Sequence, residues 1–380
     1  MKHAPDYLCR REFLKRGGRS FCLFALGSAG LPAPNALSQS RPEYYVKPAR
    51  MWEKLNDHRV QCLLCPNGCQ IDEGERGLCR VRKNIRGSLH TLIYSRIASA
   101  HVDPIEKKPM FHFLPGSRAF SVATAGCNLT CTFCQNWELS QASPEELEAQ
   151  EIAPDDLPRR AQSSGSRVIA YTYNEPTVQF EYIIDSSAVA RKYGIRPIII
   201  SSGYIRPEAG RILARNLDAV KIDLKAFTEK FYSSICGGSL KAVRDNLVSI
   251  YGTGKWLEIV VLVIPTLNDS ASEIRAMCAW VKKNLSADVP MHFTRFRAMY
   301  KLQNLPPTPV STLERCRAIA REEGIRYPYI GNVPGHQWES TYCHRCEKLL
   351  IQRSGYFHVV NQIRNGSCPF CGTRIPGVWA

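Results

Sequence analysis

A chain of 380 residues, 44% hydrophobic and 22% charged, is long enough to bury a sizeable core and too apolar for wholesale disorder. Its net charge of +16 raises the question of a nucleic-acid partner, but Lys and Arg are spread along the chain without a basic block. That distribution reads as a solvated basic surface and leaves nucleic acid as the lesser alternative. Sixteen cysteines are many for this length, and most fall into three tight sets, which points to metal centres rather than disulfides.

In chain order, residues 1–40 form a leader. "RREFLKR" places Arg10 and Arg11 ahead of Phe13, Leu14 and Lys15, and a modest apolar run follows. This resembles a twin-arginine export signal. The run is short and broken by Gly and Pro, so no transmembrane span is expected. Export of the folded protein to the periplasm and a cytoplasmic location both stay open, since low-potential reductants are cytoplasmic.

Residues 41–112 form a module around Cys62, Cys65, Cys69 and Cys79. Four thiols at this spacing can close on zinc or hold an auxiliary iron–sulfur cluster, and the spacing does not choose. Pro66 and Gly68 supply the tight turn that either site needs. His101, Asp103 and His112 lie nearby in sequence and are expected to be structural or surface polar residues rather than ligands.

Over 113–335 the pattern changes to short apolar runs alternating with helical spacing. Strands are expected at 119–125, 167–173, 196–202, 219–224, 257–264, 291–296 and 327–332. A helix is expected after Pro176, with Phe180, Ile183 and Ile184 on one face and Gly194 as its stop; others are expected at 239–251, 271–285 and 311–323. Near-continuous apolar strands alternating with helices predict an α/β fold with a parallel sheet buried on both faces. A full or partial barrel, with its active site at the C-terminal ends of the strands, fits the number of units. An open doubly wound sheet is the alternative, and the lack of a Gly-rich fingerprint after the first strand counts against it.

Residues 336–380 return to cysteine pairs, Cys343, Cys346, Cys368 and Cys371, the second pair written "CPFCG". Four thiolates with no open position are the pattern of a structural zinc ribbon, and so small a tail needs such a staple; rubredoxin-like iron is the alternative.

The third set follows the first barrel strand. "GCNLTCTFCQNW" puts Cys127, Cys131 and Cys134 within eight positions, one thiol short of a closed zinc site. Three thiolates can hold three irons of a 4Fe-4S cluster and leave the fourth iron open. This spacing resembles the radical S-adenosylmethionine (SAM) superfamily. The resemblance implies a partial (β/α)6-type barrel in which SAM chelates the open iron. Reductive cleavage of SAM then gives a 5′-deoxyadenosyl radical that abstracts hydrogen from a substrate, here unidentified. It further implies that Phe133 lies near the adenine, that Asn174 and Glu175 of "TYNEP" lie beside the SAM amino group, and that Ser201, Ser202, Asp223 and Lys225 reach SAM from the next two strand ends. Glu175 reads equally as a helix cap, and Lys225 as a solvated charge.

The match extends from about residue 60 to 379 for one subgroup, the radical SAM component of the AmmeMemoRadiSam system, related to the pyruvate formate-lyase activating enzymes. It is carried by "VQCLLCPNGCQI", "HVDPIEKKPMFHFLPGS", "YTYNEPT", "IDLKAF", "LPPTPV", "YIGNVPG" and "CPFCGTRIPGVW". Ser202 stands where the subgroup usually has Asn. Ile200 replaces an acidic residue, and Arg297 a histidine, of the glycyl-radical activases. The resemblance implies a low-potential electron donor and Memo-type partner proteins. Three readings follow: a radical SAM enzyme, a glycyl-radical-enzyme activase, and a non-catalytic multi-metal electron carrier or scaffold.

Overall fold

Seven apolar runs of the central region, joined by a strand from residues 41–112 that was not expected, pair side by side into one sheet of eight strands. In chain order these are β1 (Ser99–Pro104), β2 (Arg118–Ala123), β3 (Val168–Tyr171), β4 (Arg196–Ser201), β5 (Ala219–Asp223), β6 (Trp256–Val263), β7 (Met291–Arg295) and β8 (Pro328–Gly331). This is a computed structural model, and it describes residues 45–380; the leader with its paired arginines lies outside them. The sheet order is β8-β7-β6-β5-β4-β3-β2-β1. Strands β2 to β8 are all parallel, and β1 runs antiparallel along the β2 edge.

Each parallel crossover carries a helix: α1 (Asp156–Ser163), α2 (Phe180–Ala190), α3 (Pro207–Arg215), α4 (Leu240–Tyr251), α5 (Ala271–Asn284) and α6 (Val310–Glu322). Successive strands are neighbours throughout and the order never reverses, so a doubly wound sheet is excluded. This is the α/β architecture of the expected partial barrel, open between β1 and β8.

Strand alternation divides the barrel into an outer and an inner face. Ile169, Tyr171, Ile199 and Val220 join the large core shared with the helices. Val168, Ala170, Ile198 and Ala219 point the other way and pack with Ile105, Met110, Phe113 and Leu114, which fill the barrel floor. Further along the same inner rows the residues turn polar, and there the barrel is hollow.

The chain below the floor is held by a buried polar network. Glu258 accepts from the backbone N–H groups of Phe111 (2.9 Å) and His112 (2.8 Å), from Trp256 Nε1 (3.0 Å), and pairs with His292 Nε2 (2.7 Å). His112 meets Tyr329 Oη (2.5 Å) and the Pro376 carbonyl (2.7 Å), so it is structural, as expected. The C-terminal strands 341–342, 349–354 and 358–361 form a small antiparallel sheet. Arg353 ties it to the floor, donating from Nη2 to the Phe111 carbonyl at 2.7 Å, and Val378 pairs with Phe113. Among the described residues no helix is long and apolar enough to cross a membrane.

The N-terminal module consists of short antiparallel strands. It is fastened to α2 by Arg82 and Glu181, both 1% exposed, through two hydrogen bonds of 3.2 and 2.7 Å. Lys47 to Asp185 at 2.7 Å reinforces the same contact.

Candidate functional site

The polar end of the inner face opens into a cavity of about 460 Å³. Cys127, Cys131 and Cys134 all line it, on the loop that leaves β2. The loop starts at Gly126, whose φ is +87°; a Cβ there would lie 2.5 Å from the Cys79 carbonyl oxygen, so only glycine fits. Asn174, at the end of β3, donates through Nδ2 to the Gly126 carbonyl at 2.8 Å and accepts from the Thr124 N–H at 3.3 Å. On its far side the loop is backed by the π-turn Tyr232–Cys236: the Thr130 and Thr132 N–H groups donate to the Cys236 and Ile235 carbonyls at 2.9 and 3.0 Å.

Sulfur chemistry differs across the triad. Burial pushes the Cys127 and Cys134 thiols up. A hydrogen bond from the Cys236 thiol, helped by the Lys225 ammonium and opposed by burial, holds Cys131 below the ordinary thiol range. Metal ligation needs thiolates, so positive charge close to them favours the ligating form.

Of the other residues expected from sequence, Phe133, Asn174, Glu175, Ser202, Asp223 and Lys225 line the cavity, and Ser201 stands behind it. Glu175 is committed to the chain's own donors. It accepts from the Thr177 N–H (3.1 Å) and Oγ1 (2.7 Å), Ser201 Oγ (2.6 Å), and the Ser202 N–H and Oγ (both 2.7 Å). The helix-cap reading of Glu175 therefore holds, and the same carboxylate locks the end of β4 to the end of β3. Lys225 is partly buried rather than fully solvated: its ammonium stands 3.8 Å from Asp223 and 5.6 Å over the Phe133 ring.

Sequence reasoning passed over Lys221, Lys107 and Lys108, which also line the cavity. Lys221 is buried and bonded to Asp223. Its signal was the alternation itself, since 219, 221, 223 and 225 share one face of β5 and its extension. Lys108 donates to Asp103 at 2.6 Å, and Asp103 also accepts from Lys107 and Tyr173. Burial lowers Lys108 to about 8. For Asp103, burial is outweighed by the Lys108, Tyr173 and Lys107 hydrogen bonds, and its carboxyl stays below the usual range. The cavity wall thus carries four lysines against Glu175, Asp223 and the Asp103 carboxylate that Lys107 and Lys108 share, a small cationic excess that favours anionic occupants.

At the other end of the chain, Cys343, Cys346, Cys368 and Cys371 hold their four sulfurs within 4.8 Å of one another. The Cys343–Cys371 and Cys346–Cys368 sulfur distances are both 3.7 Å. Four thiolates about 2.3 Å from one zinc ion stand about 3.8 Å apart, so this group can hold a metal ion.

Comparison with known proteins decides the family. Residues 121–278 match the Radical SAM superfamily model. Over 332 residues the chain is 40% identical to the uncharacterized protein MJ0808 of Methanocaldococcus jannaschii, covering 87% of this chain and 99% of that one. The chain belongs to the radical SAM superfamily. Within this superfamily it is also 27% identical over 207 residues to the pyruvate formate-lyase-activating enzyme of Clostridium pasteurianum, covering 50% of this chain and 84% of that enzyme. Among solved structures, a radical SAM methyltransferase from Sphaerobacter thermophilus aligns with a TM-score of 0.45 at 15% identity, covering 75% of this chain and 76% of that one.

The protein is a radical SAM enzyme related to the pyruvate formate-lyase activating enzymes, and membership implies a 4Fe-4S cluster and SAM. The residues present fit that pair: three thiol donors and a cationic wall surround a cavity large enough for a small-molecule ligand.

Proposed function

We propose that Cys127, Cys131 and Cys134 hold the 4Fe-4S cluster and that the cavity beside them takes SAM together with the substrate. When bound, the pair supplies reductive cleavage of SAM followed by hydrogen-atom abstraction. The chain's own residues position and enclose that chemistry. Asn174 and Cys236 fix the cysteine loop from two sides, and Lys225 offsets thiolate charge. Glu175 holds the β3 and β4 ends together, leaving Phe133, Ser202 and Asp223 as walls for SAM. The packed floor keeps bulk water out from below. The Cys343 set holds zinc as a structural staple.

The observation that carries this reading is the opening of all three cysteines onto one cavity of about 460 Å³. A scaffold or electron carrier has no use for such a chamber. We assign the chain to the AmmeMemoRadiSam type on its sequence motifs, with Memo-type proteins as partners and a low-potential carrier as electron donor. An activase role is the second reading, supported by the relationship to the Clostridium pasteurianum enzyme. Apolar Ile200 on the cavity wall, in place of an activase's acidic residue, speaks against it.

The test is anaerobic. Protein reconstituted with iron and sulfide, then given SAM and dithionite, is expected to form 5′-deoxyadenosine, and Cys131→Ala to form none. Absence of product from a fully loaded, reducible wild type would remove the enzymatic reading. A glycyl radical appearing on a partner protein would favour the activase.

A further inference from the structure

Cys62, Cys65, Cys69 and Cys79 are brought to one place in the fold, but not to the spacing of the ribbon sulfurs. All four line one small internal cavity of about 20 Å³, which also touches Leu64, Ile71 and Val178. The ribbon sulfurs lie within 4.8 Å of one another, as a single zinc ion requires; among the described residues the N-terminal sulfurs do not close to that spacing, and neither does the Cys127 triad. A cube of iron and sulfide sets its thiolates at the corners of a wider body than one ion can. On that measure the N-terminal set sorts with the Cys127 site and apart from the ribbon.

A second observation points to an occupant. Arg82 is 1% exposed and lines the same cavity. Its two terminal nitrogens are taken by Glu181, but its Nε has no partner among the described residues. A buried donor left without an acceptor costs about 1–3 kcal/mol. Anionic sulfur in the cavity supplies that acceptor.

We infer that Cys62, Cys65, Cys69 and Cys79 hold a second iron–sulfur cube, with Arg82 Nε as a hydrogen-bond donor to its sulfur, and not a zinc ion. The two cube sites adjoin. The Cys79 carbonyl lies against Gly126, and Asn67 Nδ2 donates to the Asn128 carbonyl, next to Cys127, at 2.9 Å.

The inference is separable from the reading of the Cys127 site. A Cys127→Ala/Cys131→Ala/Cys134→Ala variant leaves only the N-terminal set and the ribbon. After anaerobic reconstitution it is expected to retain about four irons and four sulfides per chain, with a paramagnetic signal on dithionite reduction. Adding Cys65→Ala should abolish both. Zinc at two sites with no sulfide, or no metal beyond the ribbon's, would overturn the inference whatever happens at the Cys127 site. Should the triple variant prove insoluble, iron and sulfide analysis of the wild type decides instead. About eight of each per chain are expected, and about four with zinc in the remaining sites would overturn it.

Discussion

Asn174 shows how much of a cofactor site one neutral side chain can govern. Its amide holds the Gly126 carbonyl and the Thr124 N–H, and so sets where the cysteine loop begins. Asn174→Ala strands both groups in a buried place at a cost of about 1–3 kcal/mol. The expected result is a lower melting temperature together with reduced iron content after reconstitution; full iron loading at unchanged stability would show that the loop does not depend on this amide. The three cysteines and the strand ends were legible because their residue types and spacing carry chemistry. Lys221 was not, because a lysine inside an apolar strand looks like a solvated charge until the inward phase of that strand is known. Asp103 was expected to be structural, and it is, but its service to Lys107, Lys108 and Tyr173 at the cavity rim depends on contacts made across the fold.

Among the elements, the parallel strands β2 to β8 fell within a residue or two of their apolar runs, since Val- and Ile-rich segments bounded by polar turns have few other uses; β1, half exposed and without an apolar run, was not foreseen. Helices α1 and α3 escaped notice for a local reason. α1 buries only Leu157, Pro158 and Ala161, and α3 presents small residues, including Gly210, where a Cβ would lie 2.2 Å from Asn246 Oδ1. Both helices are also short, 8 and 9 residues, so few turns repeat the pattern that makes a helix legible. The joint between the N-terminal module and α2 was equally invisible, because Arg82 and Glu181 are 99 residues apart. Arg82→Met leaves Glu181 charged and uncompensated in the core, and a loss of about 3–5 kcal/mol is expected by urea denaturation. The double variant Arg82→Met/Glu181→Leu should recover much of that loss; no recovery would mean that the pair is not what joins the two elements. The ribbon gives a parallel case. A metal held by its four cysteines would join two loops whose strand reaches the floor through Arg353, so a strong chelator is expected to lower the melting temperature of the whole protein, and an unchanged value would mark the ribbon as independent.

For the molecule as a whole, the floor network sets the response to acid. Burial lowers His112 from 6.5 to about 4, with Glu258 opposing that shift and Arg353 and His292 adding to it. The unfolded chain therefore takes up the proton first. The contribution of neutral His112 to stability is fully present above about pH 6.5 and is lost as pH falls toward 4, amounting to about 3 kcal/mol over that window. His112→Gln should flatten this part of the profile, so that its stability deficit relative to wild type shrinks between pH 7 and pH 4.5; a constant deficit would assign the acid sensitivity to other groups. The fastening of the N-terminal module onto α2 also has a consequence for biosynthesis. The partner of Arg82 is made 99 residues after it, which at about 5–20 residues per second is a wait of about 5–20 s on the ribosome. Throughout that interval Cys62, Cys65, Cys69 and Cys79 are on a segment whose wall has not been made. The moment at which these thiols leave solvent is set by the arrival of a helix from the barrel, so this end of the chain matures at the pace of translation.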